Sequence, residues 1–326
     1  MNHMNPIEEK YLTTPDGTKL YYTMSGTGEE IDFLLCDGIG CDGFVWPYLK
    51  PYLEEIGRVI HLHMRGHGKS GLPTDYQLTQ IEDLAKDWQQ VIQIEKSQIQ
   101  TTQVVPKKRG RPTKNQMPQQ ASKPRKIIAI GHSLGVQVAL ELARQTPHWQ
   151  WAGLVLMCGT FEHPVSTFHN AQMLERFLPL LKKAVELGGD HLRKVWQRLV
   201  NLPLAVQVAK MTEMNGNLTR KRDIEAYLRH LGQMEPKYFL EMLMNASKHS
   251  ARSYLGELDM PTLIIAGGKD NFTPARLSEE MQALMKNAKL IMIQEGTHAT
   301  PIEHTIEVNS MVRRFIQDQL ASQSAS

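Results

Sequence analysis

Gly131-His132-Ser133-Leu134-Gly135 places one serine between two glycines, directly after the apolar run Ile127 to Ile130 and before the helical pattern Val136 to Arg144. A sharp strand-to-helix turn needs glycine where side chains would collide, and such a turn lifts Ser133 above the sheet. The amide groups that open the following helix point toward any negative charge that develops there. A serine hydroxyl is a weak nucleophile until a base takes its proton and an acid orients that base. Two later segments offer those partners in the order acid, then histidine. Thr262 to Ala266 runs into Gly267-Gly268-Lys269-Asp270, and Leu290 to Ile293 runs into Glu295-Gly296-Thr297-His298. Asp270 alone reads as a turn residue and His298 alone as a loop histidine. Together with Ser133, and each just past a strand-like run, they form a nucleophile, base and acid set suited to acyl transfer.

These side chains need a rigid frame. Ile7 to Thr14 and Lys19 to Met24 alternate around Pro15-Asp16-Gly17, which predicts an antiparallel hairpin. Short apolar runs at Ile31 to Cys36, Val59 to Met64, Ile127 to Ile130, Leu154 to Met157, Thr262 to Ala266 and Leu290 to Ile293 suit parallel strands buried on both faces. Helical spacing at Ile81 to Ile94, Val136 to Arg144, Ala275 to Met285 and Val308 to Leu320 completes an α/β alternation, a doubly wound sheet. Residues 161–256 carry only amphipathic helical patterns, such as Ala171 to Ala184 and Asp223 to Leu231, and read as an all-helical insertion. The expected organisation is a core of 1–160 and 257–326, the helical unit of 161–256 between two strands, and a flexible basic insertion at 97–125.

On the Gly-x-Ser-x-Gly turn, Arg65-Gly66-His67-Gly68-Lys69-Ser70, the Gly-x-x-Asp-x-x-Thr-Pro around Asp270 and the Gly-x-His before the last helix, the sequence resembles the α/β-hydrolase superfamily over nearly its whole length. The resemblance implies an eight-stranded, mostly parallel sheet, with Ser133 as nucleophile, His298 as base, Asp270 as orienting acid and the helical unit as a cap. Acyl transfer also requires two N–H donors for the developing oxyanion. The backbone of Leu134 is one; by resemblance to His-Gly-x loops, Ile39 in Cys36-Asp37-Gly38-Ile39-Gly40 is the other. The sequence departs from the family at Asp37, where histidine is usual, and at His63, where aspartate is common. An unpaired carboxylate beside the hole would oppose the oxyanion, so Asp37 is expected to be paired or turned away, and Trp46 to serve packing.

Serine as nucleophile, where same-fold haloalkane dehalogenases and epoxide hydrolases carry aspartate, points to an acyl-enzyme formed from a carboxylic ester. C–C-bond hydrolases and cofactor-free haloperoxidases share the same triad and stay open as alternatives. Phe177, Leu178, Leu180, Leu181, Leu199, Leu202, Leu204, Met211, Met214, Met242 and Met244 make the cap apolar. Some hold its helices together and the remainder are expected to line a pocket for a small or medium apolar acyl substrate. No cofactor is called for. His61, His63 and His67 are joined by no carboxylate or thiolate cluster, so no metal site is expected.

Net charge is +3, yet residues 97–126 hold eight basic residues and no acid, leaving 29 bases against 34 acids elsewhere. The basic character is therefore local, which excludes a surface-wide nucleic-acid binder. Within it, Pro106-Lys107-Lys108-Arg109-Gly110-Arg111-Pro112-Thr113-Lys114 resembles an AT-hook. That resemblance implies weak, salt-sensitive contact with A/T-rich DNA through Arg109, Gly110, Arg111 and Pro112; a solvated low-complexity insertion is the other reading. Three cysteines exclude a disulfide framework and fit a reducing compartment. With a mean hydropathy of −0.37, no bilayer-length apolar run and a polar N-terminal stretch, the expectation is a cytoplasmic chain without a membrane span.

Overall fold

The computed structural model describes residues 6–102, 125–164, 171–200, 202–212 and 214–324. The predicted hairpin is present: β1 (Glu8–Thr13) pairs antiparallel with β2 (Lys19–Ser25). The apolar runs become β3 (Ile31–Cys36), β4 (Arg58–His63), β5 (Lys126–His132), β6 (Trp151–Met157), β7 (Thr262–Gly267) and β8 (Ala288–Ile293). They form one eight-stranded sheet in the order β1-β2-β4-β3-β5-β6-β7-β8, in which β2 meets β4 antiparallel and all later pairings are parallel. Every residue of β3 and of β7 is buried. A strand covered on both faces gains from unbroken apolar sequence, which is why these runs do not alternate.

Helices α1 (Lys50–Ile56), α2 (Ile81–Thr102) and α3 (Leu134–Gln145) follow β3, β4 and β5. The core splits into two apolar clusters, one containing Trp88, Leu140 and Leu156, the other Phe33, Ile130 and Val312. Between β6 and β7 the chain makes α4 (Ala171–Val200), α5 (Pro203–Thr212), α6 (Lys221–Gln233) and α7 (Pro236–Ala246), the expected helical unit. Then α8 (Ala275–Leu284), the short α9 (Thr300–Glu303) and α10 (Thr305–Ser324) close the fold. The helical unit is pinned to the core by polar contacts. Tyr238 donates to the Arg65 carbonyl at 2.5 Å, Asn245 to the Thr79 hydroxyl at 2.9 Å, and Tyr48 to Asp223 at 2.7 Å.

One boundary moves. Composition starts the irregular basic insertion at residue 97, whereas α2 continues to Thr102. Adding residues to an established helix costs little, and the glutamines there are good helix formers. Residues 103–124, which include Arg109, Gly110, Arg111 and Pro112, lie outside the described residues. At the other end Arg125 is firmly held: it pairs with Asp32 at 2.5 Å and donates to the Gly28, Glu29 and Ile31 carbonyls at 2.5, 2.5 and 2.8 Å. Among the described residues, no helix is long and apolar enough to cross a membrane.

Candidate active site

Ser133 is the hinge between β5 and α3, with φ 55° and ψ −120°. A non-glycine residue in the left-handed region stores strain and is held there only by its surroundings. The surroundings are tight. A side chain on Gly135 would collide with the Cys36 carbonyl of β3, and one on Gly38 would come within 2.9 Å of the Ser133 Cβ. Both glycines therefore set how closely the β3 loop and the β5 turn approach each other.

The Ser133 Oγ lies 2.9 Å from His298 Nε2, and His298 Nδ1 lies 3.0 and 3.2 Å from the two oxygens of Asp270. Sequence placed these three side chains at the ends of β5, β7 and β8, and the fold brings them together in one line. An N–H at Nδ1 satisfies the carboxylate, which leaves the Nε2 lone pair facing the serine hydroxyl. Asp270 also accepts the Phe272 N–H at 2.8 Å, the Thr273 N–H at 2.9 Å and the Thr273 hydroxyl at 2.7 Å. Burial alone would raise its carboxyl; the facing imidazole and the two Thr273 donors outweigh that and hold it below the usual carboxylate range. Such an arrangement can take a proton from the hydroxyl and stabilise the imidazolium that results.

Ile39 and Leu134 both line the cavity beside Ser133. Leu134 opens α3, so its N–H belongs to the first turn, whose amides lack intrahelical acceptors. The β3 loop that carries Ile39 is fixed by a residue sequence reasoning left unassigned. Buried His67 accepts the Gly40 N–H at Nε2 (3.0 Å) and donates from Nδ1 to the Arg65 carbonyl (3.0 Å). Burial, foremost, pushes the His67 pKa down to about 4, which keeps it a neutral acceptor. Arg65 in turn forks onto Asp87 at 2.7 and 2.6 Å, a buried bidentate pair.

Asp37 is paired, as expected. It lies 2.7 Å from His61 Nε2 and accepts the Trp46 indole N–H at 2.6 Å. Burial would raise its carboxyl, but the two nearby imidazoles, His61 and then His63, and the indole hold it low, so its charge is consumed inside the β3–β4 corner. Trp46 thus does more than pack, since it is also a donor to this carboxylate. His63 accepts the Lys69 N–H at 3.1 Å; burial, foremost, pushes its pKa down to about 3. Cys36 and Cys158 are buried and their thiols are pushed up, first by burial, which makes them poor nucleophiles. No group of three or more potential metal ligands occurs among the described residues.

A cavity of about 240 Å³ opens at Ser133, and its far wall comes from the helical unit: Met214, Tyr227 on α6, and Phe239 and Leu243 on α7. Among the described side chains of the apolar cap residues singled out in the sequence, only Met214 lines it. Leu180, Leu199, Leu202 and Leu204 face outward and Met242 is in the core; the side chains of Phe177, Leu178, Leu181 and Met211 lie outside the described set. An amphipathic pattern marks a buried face without saying whether it faces a core or a cavity.

With the geometry in view, comparison with known proteins is decisive at the family level. The family model described as "Alpha/beta hydrolase family" matches residues 33–310. The chain belongs to the α/β-hydrolase family. It is similar to a pimeloyl-[acyl-carrier protein] methyl ester esterase of Neisseria meningitidis serogroup B, at 31% identity over 85 residues, 26% of this chain and 33% of that protein. The match thus spans about a third of the length of the Neisseria relatives. A protein of the same description from Methylococcus capsulatus is 23% identical over 300 residues, covering 91% of this chain and 98% of that one. Among solved structures, a bromoperoxidase from Bacillus anthracis superposes with a TM-score of 0.71 at 18% identity, over 95% of this chain and all (100%) of that one. A structural likeness at such identity speaks for the fold alone.

Proposed function

We propose that this protein is a serine hydrolase that cleaves a small or medium neutral carboxylic ester through an acyl-enzyme. The observation that carries the reading is the unbroken chain Asp270–His298–Ser133, at 3.0 and 2.9 Å, ending in a mostly apolar cavity. His298 Nε2 accepts the Ser133 proton as Oγ bonds to the ester carbonyl carbon. The carbonyl oxygen takes the displaced electron pair and is met by the Ile39 and Leu134 N–H groups. When the tetrahedral adduct collapses, the alkoxide leaves with the proton from His298. A water molecule then repeats the sequence on the acyl-enzyme, releasing the acid and restoring Ser133. The Asp37 charge does not oppose the oxyanion, because His61 and Trp46 hold both of its oxygens.

Relatives described as methyl ester esterases are in keeping with ester chemistry, and the Ser133 nucleophile favours it over alkyl displacement. The helical unit supplies the acyl-facing wall and so acts as a cap. The AT-hook-like segment enters no part of this reading. Hydrolysis of p-nitrophenyl esters of graded acyl length tests it, alongside labelling by a fluorophosphonate. Wild type turns over the short and medium esters and is labelled; Ser133→Ala does neither. Equal rates for the two proteins at every chain length would refute it.

A further inference from the structure

Glu303 is buried at the end of α9, and the donors that meet its carboxylate come from two separate parts of the chain. From the loop that carries His298, Thr297 gives its N–H to Oε2 at 3.0 Å and its hydroxyl to Oε1 at 2.6 Å. From the segment between α5 and α6, the Asn215 N–H reaches the same Oε1 at 2.5 Å and the Thr219 hydroxyl reaches it at 3.3 Å. Donors thus stand on both oxygens. A carboxylate accepts at both, whereas a glutamine would turn its NH₂ against one set of donors.

The Thr297 hydroxyl, once turned toward Glu303, offers a lone pair to the Ala299 N–H at 3.3 Å. The residues on either side of His298 are therefore both fixed through this one carboxylate. That matters because each His298 nitrogen has one narrow task, Nε2 facing Ser133 at 2.9 Å and Nδ1 facing Asp270 at 3.0 Å. A misplacement of about 1 Å costs on the order of 10²-fold in rate. On the cap side, Asn215 directly follows Met214, which lines the cavity. Oε1 is the shared point, holding the base loop and the cap segment at once. If the cap segment withdraws, a buried charge loses part of its solvation by the protein, and the carboxylate must shift to regain it. Thr297 moves with it.

We propose that Glu303 is a positioning residue for the hydrolysis. It holds the His298 loop and the cap segment 215–219 on one carboxylate, so that the base is in line only while the cap is seated. This rests on the ester-hydrolase reading for the reaction, though not for the alignment.

The test separates kcat from KM and adds a readout that needs no substrate. Glu303→Gln lowers kcat for a short p-nitrophenyl ester by roughly 10- to 100-fold, while KM changes by less than about threefold. Thr219→Val keeps the carboxylate and the side-chain shape, and lowers kcat by roughly three- to tenfold. Thr219→Ser, which restores the hydroxyl, returns kcat to the wild-type value. In the Glu303→Gln background, Thr219→Val has no further effect. Low-field proton NMR reads the alignment directly through the His298 Nδ1 proton shared with Asp270, assigned by its loss in His298→Ala. That resonance is sharp in wild type and Thr219→Ser, broadened in Thr219→Val and lost in Glu303→Gln. Should Glu303→Gln fail to fold, the two Thr219 variants still decide. Thr219→Val with wild-type kcat and resonance, or with a change in KM alone, would overturn the proposal. So would an equal effect of that variant in both Glu303 backgrounds; Glu303 would then be a fastener of the fold only. The expected resonances from a wild type that turns over no ester would sink the hydrolase reading while the positioning stands. Turnover with one and the same resonance in all the Glu303 and Thr219 variants would do the reverse.

Discussion

Two buried aspartates stand at strand ends on either side of the nucleophile-bearing β5, each against an imidazole. Asp270 follows β7 and meets His298; Asp37 follows β3 and meets His61. Both pairs are within hydrogen-bonding distance, and both carboxyls lie below the usual range against the pull of burial. They differ in what stands beyond them. The Asp270 pair continues through His298 Nε2 to the Ser133 hydroxyl at a cavity, whereas the second oxygen of Asp37 is closed by the Trp46 indole in a corner. The His61 ring is capped besides by Gly43, where a side chain would come within 2.6 Å of it. A buried Asp–His pair is therefore not a catalytic signature in itself. Chemistry follows only where the imidazole keeps a nitrogen facing a nucleophile and a space for substrate.

The sharpest way to break that comparison is to neutralise each aspartate. Asp270→Asn removes the charge that fixes the His298 tautomer, and kcat for a short p-nitrophenyl ester falls by roughly 10⁴-fold with little change in the thermal midpoint. Asp37→Ala strands a buried imidazole and indole, and denaturant titration shows a loss of about 3 kcal/mol. Its kcat, measured well below the midpoint, falls by less than about tenfold. A reversal of these two profiles would mean that the roles have been assigned to the wrong aspartate.

Acid sharpens the contrast with a smaller effect. The unfolded chain binds a proton on each histidine near pH 6.5. Buried His67 and His132 bind theirs only near about 4, so across that window unfolding takes up protons. Stability is at its full value above about pH 6.5 and falls by about 1.4 kcal/mol per pH unit for each such histidine as the pH drops toward 4. The lowered aspartates act elsewhere. Their contribution is complete above about pH 3.9 and is lost only as the pH falls through their folded values. Urea midpoints from pH 7.5 to 4.5 therefore slope downward, and His67→Gln, which can still accept the Gly40 N–H, reduces the slope by one histidine's share. An unchanged slope would show that His67 is not held neutral.

How much of this was legible beforehand depends on separation along the chain. The strands announced themselves because double burial writes continuous apolar runs, and the Ser133, Asp270 and His298 positions because each ends such a run. The Asp37–His61–Trp46 cluster was invisible, since it needs β3 beside β4 with Leu35 opposite His61, a register no local pattern carries. Knowing that β3 and β4 are parallel neighbours would have found it. The tie from His67 to Gly40 joins two loops in the same way. The cavity wall was legible only in part: Met214 was among the named apolar residues, whereas Tyr227 on α6 and Phe239 and Leu243 on α7 were not, since amphipathic spacing does not say which buried face meets a cavity.

The direction of β5 separates this chain's two unusual regions. Arg125 is clamped where that strand begins, and Ser133 stands where it ends. The seven-residue strand between them places the two about 26 Å apart on opposite poles of the sheet. The Arg125 anchor thus lies on the side away from the cavity mouth, a strand's length from the three side chains that meet there.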